Sequence, residues 1–360
     1  MEMVYMLPSR HLLAAVCSSS VSMKSLSESQ VPAAAATGRH LSLSRSPKWR
    51  QMADSCFCCF SPTAQDHTPS QLQARTQYTF AIGANVIPHP DKVEKGGEDA
   101  YFVSQHNGCV FAIADGVSGW AEENVDPALY SKELMKHAAA LACTDEEVQN
   151  NPRLLLKKAH FATRSIGAAT AIVAILEPKG ILHIANLGDC GLRLIRHGHI
   201  VFATSPQQHY FDCPFQFSSA NGGQQAEDAV VHEISVMECD TVVMGSDGLF
   251  DNVYGSEIIA TVAMFGGADQ AAAEHTASAL AALASKNARN KKYESPYSQE
   301  AISQGYDLPF WKKILGKKLT GGKLDDITVL VGHVVDVKSL PRHGTSELLC
   351  YGTHEIQKHQ

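Results

Sequence analysis

The stretch TAIVAILEPKGILHIANLGDCGLRLIRHGHIVFAT, residues 170–204, decides the fold. It holds four apolar runs, at 170–176, 181–186, 191–197 and 200–204. Two of the gaps between them are Pro178-Lys179-Gly180 and His197-Gly198-His199, which are turn residues and little else. Connections of this length join antiparallel strands, because a parallel crossover needs a dozen residues or more.

The same reading extends outward. Upstream, strands are expected over 78–87, 100–104 and 109–115, with His106-Asn107-Gly108 as a hairpin turn. Helices follow over 127–143 and 152–164, started by Asp126-Pro127 and Asn151-Pro152. Downstream, a Pro/Gln/Asn/Gly-rich loop (205–225) precedes strands at 230–236 and 240–245. Helices at 256–265 and 269–289 and a last strand at 326–335 complete the pattern. Runs of strands broken by helix pairs predict an α+β fold, two antiparallel sheets stacked face to face with helices outside. That is a four-layer αββα sandwich.

The chain has 360 residues, 44% hydrophobic and 19% charged, with a formal net charge of −7. Residues 1–75 carry seven Lys/Arg and four Asp/Glu, which leaves 23 basic and 33 acidic residues in the body. An acidic body excludes general nucleic-acid binding, which needs a basic face. No run of 18 apolar residues announces a transmembrane helix. The first fifty residues hold six Lys/Arg against Glu2 and Glu28, with many serines, the composition of an organelle transit peptide. Expected boundaries are a leader over 1–70, a folded domain over 75–336 and a tail over 337–360. The ten cysteines are scattered apart from Cys56-Phe57-Cys58-Cys59, and are expected as thiols of a reducing compartment. Trp311-Lys312-Lys313, Lys317-Lys318 and Lys323 form a dense basic region, for which a solvated face is the default expectation.

Five acidic signals sit where strands start or stop. They are Glu98-Asp99, Asp115-Gly116, Gly188-Asp189, Ser246-Asp247-Gly248 and Asp325-Asp326. One Asp-Gly after a strand is ordinarily a turn. Five acids brought together would repel one another unless cations hold them. Oxygen-only ligation selects hard divalent ions such as Mg²⁺ or Mn²⁺, and a pair of these about 3.5–4 Å apart hydrolyses phosphate esters.

The ordered set Gly97-Glu98-Asp99, Ala114-Asp115-Gly116, Gly167-Ala168-Ala169-Thr170, Asn186-Leu187-Gly188-Asp189, Gly245-Ser246-Asp247-Gly248 and Asp325-Asp326-Ile327-Thr328-Val329 resembles the protein phosphatase 2C family. These are metal-dependent Ser/Thr phosphatases, and the resemblance covers roughly residues 78–335. Asp115-Gly116-Val117-Ser118-Gly119-Trp120 and the residues 295–332 are similar to chloroplast members. The resemblance implies two Mn²⁺ or Mg²⁺ ions held by Asp115, the Gly116 carbonyl, Asp247 and Asp325. Glu98 and Asp99 would act through water, and Asp189 with Asp247 would hold a third, weaker ion. The same likeness makes Asp115 and Asp247 the catalytic pair, through the water their ions activate. It also implies phosphoprotein substrates among photosystem II core subunits, a chloroplast location with thylakoid contact, and a monomer.

Two departures from the family pattern stand out. Many members carry His directly after the Asp-Gly, where this chain has Val117. Many also carry an Arg shortly before the Glu-Asp, where this chain has Glu94 and Lys95, so Lys95 is the expected phosphate contact. Loss of a general acid costs about 10²–10⁴-fold in rate. These departures leave a second reading, a catalytically weak pseudophosphatase that binds phosphoproteins. In the 205–225 loop, His209-Tyr210-Phe211-Asp212-Cys213-Pro214 is either a substrate-docking loop or an aromatic lid.

Overall fold

The computed structural model describes residues 76–105, 109–306 and 318–339. The expected leader, the turn at 106–108, residues 311–317 of the basic region and the tail from 340 onward lie outside the described residues.

Thirteen strands and six helices are found among the described residues. In chain order they are β1 (Tyr78–Ile87), β2 (Ala100–Ser104), β3 (Cys109–Gly116), α1 (Pro127–Thr144), α2 (Pro152–Ala162), β4 (Ala168–Glu177), β5 (Ile181–Leu187), β6 (Gly191–Arg196) and β7 (His199–Ala203). Then come β8 (Gln208–Tyr210), β9 (Cys213–Pro214), β10 (Phe217–Ser218), β11 (Val230–Ser235), β12 (Thr241–Gly245), α3 (Asp247–Phe250), α4 (Gly255–Met264), α5 (Gln270–Ala288), α6 (Pro296–Ser303) and β13 (Ile327–Asp336).

One sheet has the order β1-β13-β12-β6-β7, and the other β11-β5-β4-β3-β2 with β10 added to β4. All their pairings are antiparallel; the turns at 178–180 and 197–199 join the paired strands β4–β5 and β6–β7, whereas Gly188-Asp189 carries the chain from one sheet to the other. The sheets face each other across a core of Phe80, Phe111, Ile113, Ile172, Leu182, Leu194, Met244 and Leu330. On the outer face of the second sheet, Leu134 and Met135 of α1 and Leu155 and Leu156 of α2 pack on Ala112, Ala114, Ala171 and Val173. On the outer face of the first, Ala277, Leu280 and Ala284 of α5 and Ile258 of α4 pack on Val243, Val329 and Val331. The four-layer expectation therefore holds.

This layering explains why the central strands read as unbroken apolar runs. Every residue of β3 is buried: Phe111 and Ile113 face the other sheet, while Val110, Ala112 and Ala114 face the helices. Alanine on the helix side lets α1 approach closely, and the large side chains fill the space between sheets. Burial of each such large side chain contributes about 1.5–3 kcal/mol. Phe80 and Phe111 meet edge to face at 5.1 Å.

Helices α1 and α2 begin where their caps predicted, and α5 starts at a cap as well. Asp126 accepts from Ala128 N, Asn151 from Leu154 N and Asp269 from Ala272 N, and Pro127 and Pro152 open their first turns. Helix α2 ends at Ala162 rather than 164, because Thr163 turns extended while its N–H still caps Ala159 O and His160 O. The elements that were not expected are short: α3, β8, β9, β10 and the 3-10 turns at Pro90–Lys95 and Ser118–Glu123. Such pieces are too brief to show a period. Helix α6 did carry a signal, since Ser295 caps Ser298 N and Pro296 stands at its first position.

Candidate metal centre

Antiparallel pairing brings several strand termini to one end of the sandwich. Asp115, at the end of β3, pairs with Thr170 at the start of β4. Gly245, at the end of β12, pairs with Gly191 at the start of β6 and with Val329 near the start of β13. Asp189 lies in the β5–β6 turn, and Asp247 opens α3 directly after β12. One carboxylate oxygen from each of Asp115, Asp189 and Asp247 falls within 4.8 Å of the other two. Three acids far apart in the chain are thus gathered into a single patch of oxygen.

The glycines of the motifs admit this closeness. A Cβ on Gly116 would stand 2.7 Å from Glu98 O and 2.9 Å from Pro127 O. The Glu98 carbonyl is itself fixed there, accepting from Gly116 N at 3.2 Å and from Ser131 Oγ of α1 at 2.5 Å.

Glu98 and Asp99 are buried at the start of β2. Asp99 Oδ2 accepts from Thr328 Oγ1 at 2.7 Å, while its buried Oδ1 accepts no hydrogen bond. Burial pushes the Asp99 carboxyl well above the usual range, and the nearby charge of Asp326 adds to the push. Burial likewise pushes Asp251 up to about 8, against the pull of Lys323 and with repulsion from Asp247. The Cys190 thiol beside them is raised by burial and then by Asp115 and Asp189. Acids raised in this way need protons or cations, and every candidate donor is oxygen, which suits a hard divalent ion.

The two aspartates before β13 do different work. Asp326 is buried and engaged with backbone: Oδ1 accepts from His89 N at 2.7 Å and Oδ2 from Glu98 N at 2.9 Å. Asp325 instead turns towards the acid patch, its Oδ2 3.6 Å from Lys323 Nζ. That arrangement favours Asp325 as the residue for a cation and gives Asp326 the task of holding the 89–98 loop.

Lys95 is exposed on the 3-10 turn, with its carbonyl 3.5 Å from Lys132 Nζ. It is Lys92 whose ammonium enters, donating to Glu98 Oε2 at 2.6 Å and Ser118 Oγ at 3.0 Å, with Asp326 Oδ2 at 3.5 Å. Burial opposes the Lys92 charge, but Asp326 and Glu98 outweigh it and hold the ammonium above its ordinary pKa. Ser118 Oγ also donates to Glu98 Oε2 at 2.5 Å. Val117 is buried at 6% exposure, its N–H donating to Ala168 O, so no titratable side chain occupies that position.

Lys323 departs from the expectation of a solvated basic face. Its side chain is 13% exposed and its ammonium sits among Asp247, Asp251, Asp212 and Asp325. Lys318 does lie at the surface, paired with Glu294 at 2.9 Å. The loop of β8 and β9 reaches the same place: the Phe211 ring lies tilted against Tyr297 and Tyr306, each at 5.2 Å, while Tyr210 stays exposed. Beside the acids a pocket of about 210 Å³ is lined by Asp189, Arg193, Phe211, Asp251, Tyr297 and Lys323.

Asp251 and Lys92 escaped the sequence reading, while Asp212 and Lys323 were read only as part of a loop and of a solvated basic face. Asp251 had a signal, since it follows Asp247 by four residues and its N–H returns to Asp247 O at 2.8 Å. The lysines had none, because only tertiary packing decides which of several lysines turns inward.

The chain is 54% identical over 268 residues to Probable protein phosphatase 2C 26 of Arabidopsis thaliana, covering 74% of this chain and 88% of that protein. It is 52% identical over 274 residues to Probable protein phosphatase 2C 1 of Oryza sativa subsp. japonica, covering 76% and 81%. Among solved structures, the photosystem II phosphatase PBCP matches with a TM-score of 0.67 at 52% identity, over 71% of this chain and 98% of that one. No protein-family model matches the chain.

Proposed function

The chain belongs to the protein phosphatase 2C family of metal-dependent serine/threonine phosphatases, and from that premise we propose a substrate, a metal complement and a place of action. The substrates are phosphothreonines and phosphoserines of photosystem II core subunits. The likeness to the photosystem II phosphatase supports this choice. The site takes two divalent ions, Mn²⁺ or Mg²⁺, on Asp115, the Gly116 carbonyl, Asp247 and Asp325, with Glu98 and Asp99 acting through water and Asp189 with Asp247 offering a third, weaker position. The observation that carries the assignment is the convergence of Asp115, Asp189 and Asp247 within 4.8 Å.

When bound, such ions lower the pKa of water towards neutrality and clamp phosphate oxygens for in-line displacement. The chain's own groups do the rest. Asp115, at the end of β3, and Asp247, opening α3, fix where the cations would stand. The Lys92 ammonium, beside Glu98 and Ser118, supplies positive charge at the edge of the acid patch. It acts as a point charge without the two-pronged geometry of a guanidinium. Val117 offers no proton, so the leaving Ser/Thr oxygen takes one from water.

The domain runs over 75–336, behind a transit peptide within 1–70 and ahead of a tail over 337–360. It works as a monomer in the chloroplast stroma, in peripheral contact with the thylakoid. Among the described residues no helix is long and apolar enough to cross a membrane.

A phosphothreonine peptide assay across a Mn²⁺ titration tests the reading. Turnover that rises with metal, and disappears in Asp115→Asn and Asp247→Asn, is the expected result. A folded protein without turnover in saturating Mn²⁺ would favour instead the phosphoprotein-binding reading that Val117 first suggested. A fusion of residues 1–75 to a fluorescent reporter tests the compartment, and cytosolic fluorescence would overturn it.

A further inference from the structure

The segment 318–326 carries Asp325 to the acid patch outside any helix or strand. Side chains from other elements hold it instead. Ser295 Oγ donates to Gly321 O at 2.6 Å, and Gly322 abuts the end of α5 so closely that a Cβ would overlap Asn287 O. Asn252, just after α3, then grips Lys323 from both sides: Lys323 N donates to Asn252 Oδ1 at 2.9 Å, and Asn252 Nδ2 donates to Lys323 O at 2.8 Å. The same Nδ2 donates to Gly248 O, next to Asp247, at 2.9 Å. Asn252 is fully buried, and its own carbonyl accepts from Asn287 Nδ2 of α5 at 2.9 Å.

We propose that Asn252 is a positioning residue of the metal centre: its buried amide fixes where Asp325 stands relative to Asp247, and it acts through those two acids without being a ligand itself. The proposal rests on the two-ion phosphatase reading above. One side of the grip is tied to Asp247 by main-chain bonds, Leu249 N to Ser246 O, Asp251 N to Asp247 O and Asn252 N to Leu249 O. The other side is coil, in which Asp325 follows Lys323 by two residues. The acids so joined stand close together, since Asp247 Oδ2 and Asp325 Oδ2 lie 2.7 and 3.6 Å from the same Lys323 ammonium. A buried amide with its oxygen and both hydrogens engaged permits one arrangement of its partners. Without it, the backbone groups of Lys323 turn to water and Asp325 gains a range of positions. Loss of a group that orients metal ligands typically costs about 10–100-fold in metal affinity or activity.

The test is a double-mutant cycle read by metal binding and not by turnover. Full-length wild type, Asn252→Ser, Asp325→Ala and the double variant are titrated with Mn²⁺, and free Mn²⁺ is followed by electron paramagnetic resonance. Asn252→Ser should weaken binding about tenfold or more. In the Asp325→Ala background the same change should leave affinity within about twofold, because the ligand it acts through is gone. Leu155→Ala, at a fully buried side chain of α2, is the control for lost stability, and its folded form should bind Mn²⁺ as the wild type does. In metal-free protein, hydrogen exchange at 323–326 should be faster in Asn252→Ser. Asn252→Thr, closer to asparagine in volume, makes the same measurements if Asn252→Ser does not fold. Wild-type affinity in the Asn252 variant, or an equal loss in both backgrounds, would overturn the proposal. Unchanged affinity in Asp325→Ala would overturn it as well, by removing the ligand through which Asn252 acts. A wild type that binds no Mn²⁺ would refute the metal-dependent reading itself, and the proposal with it.

Discussion

Gly248→Ala probes how tightly the acid patch is built. Gly248 follows Asp247 in α3, and a Cβ placed there would overlap the Asp326 carbonyl oxygen, with Asp326 C at 3.0 Å and Ile327 Cγ1 at 3.1 Å. The obstacle is backbone at the start of β13, so no side-chain rotation relieves it. Restoring an ordinary carbon–oxygen contact requires α3 and residues 325–326 to part by about 1 Å. Overpacking of this kind costs about 1–3 kcal/mol, which lowers Tm by roughly 2–4 °C for each kcal/mol in a domain of this size. The same movement separates Asp247 from Asp325, and a misplacement of about 1 Å at a reacting centre costs on the order of 10²-fold in rate. The assay pairs a thermal melt with kcat measured over a Mn²⁺ titration. Gly266→Ala is the control, because a Cβ there meets nothing within 4 Å. Should Gly248→Ala melt and turn over like Gly266→Ala, the close packing inferred between α3 and β13 would be wrong.

Three further outcomes are expected. Asp326→Ala strips the acceptors from His89 N and Glu98 N, so it should lower stability by about 1–3 kcal/mol for each donor left buried; Asp325→Ala should chiefly weaken Mn²⁺ binding, and calorimetry showing the reverse would exchange their roles. Glu133 accepts from Ser165 N and Arg164 N, and its carboxyl is lowered to about 2, first by the Ser165 hydroxyl. A depressed acid stabilises above its unfolded value of 4.5 and loses that contribution as pH falls towards 2, so Glu133→Gln should cost about 1–2 kcal/mol at pH 7, reduced for solvent screening; chemical denaturation should show the gap from wild type narrowing from pH 6 to pH 3, and a constant gap would contradict the assignment. Phe111→Ala should cost about 3–5 kcal/mol in urea unfolding, whereas Leu129→Ala, at a side chain 54% exposed, should stay within about 0.5 kcal/mol.

Much of the fold was legible because strands and caps are local. The run 170–204 declares its strands through turn residues, and Asp126-Pro127 and Asn151-Pro152 declare helix starts, since capping is settled within four residues of chain. The acids of the site were legible for a related reason: a charge that ends an apolar strand conflicts with burial, and the conflict marks the position whatever surrounds it. The short strands of the 205–225 loop were not legible, because two or three residues carry no period and Phe217 earns its place only by burial against the helices.

What the sequence determined by itself was therefore the longer strands, their antiparallel sense and which acids stand at their ends. Tertiary structure decided how those acids divide their work. Asp325 and Asp326 are adjacent and chemically identical, yet one faces the acid patch and the other binds two backbone N–H groups. Lys92 and Lys95 lie on one short turn, yet one is drawn in by Glu98 and the other left in solvent. Lys323, read as surface charge, is the cation at the middle of four carboxylates. The reason is physical: an ionic partner is chosen by proximity in space, and these partners come from segments as much as 234 residues apart.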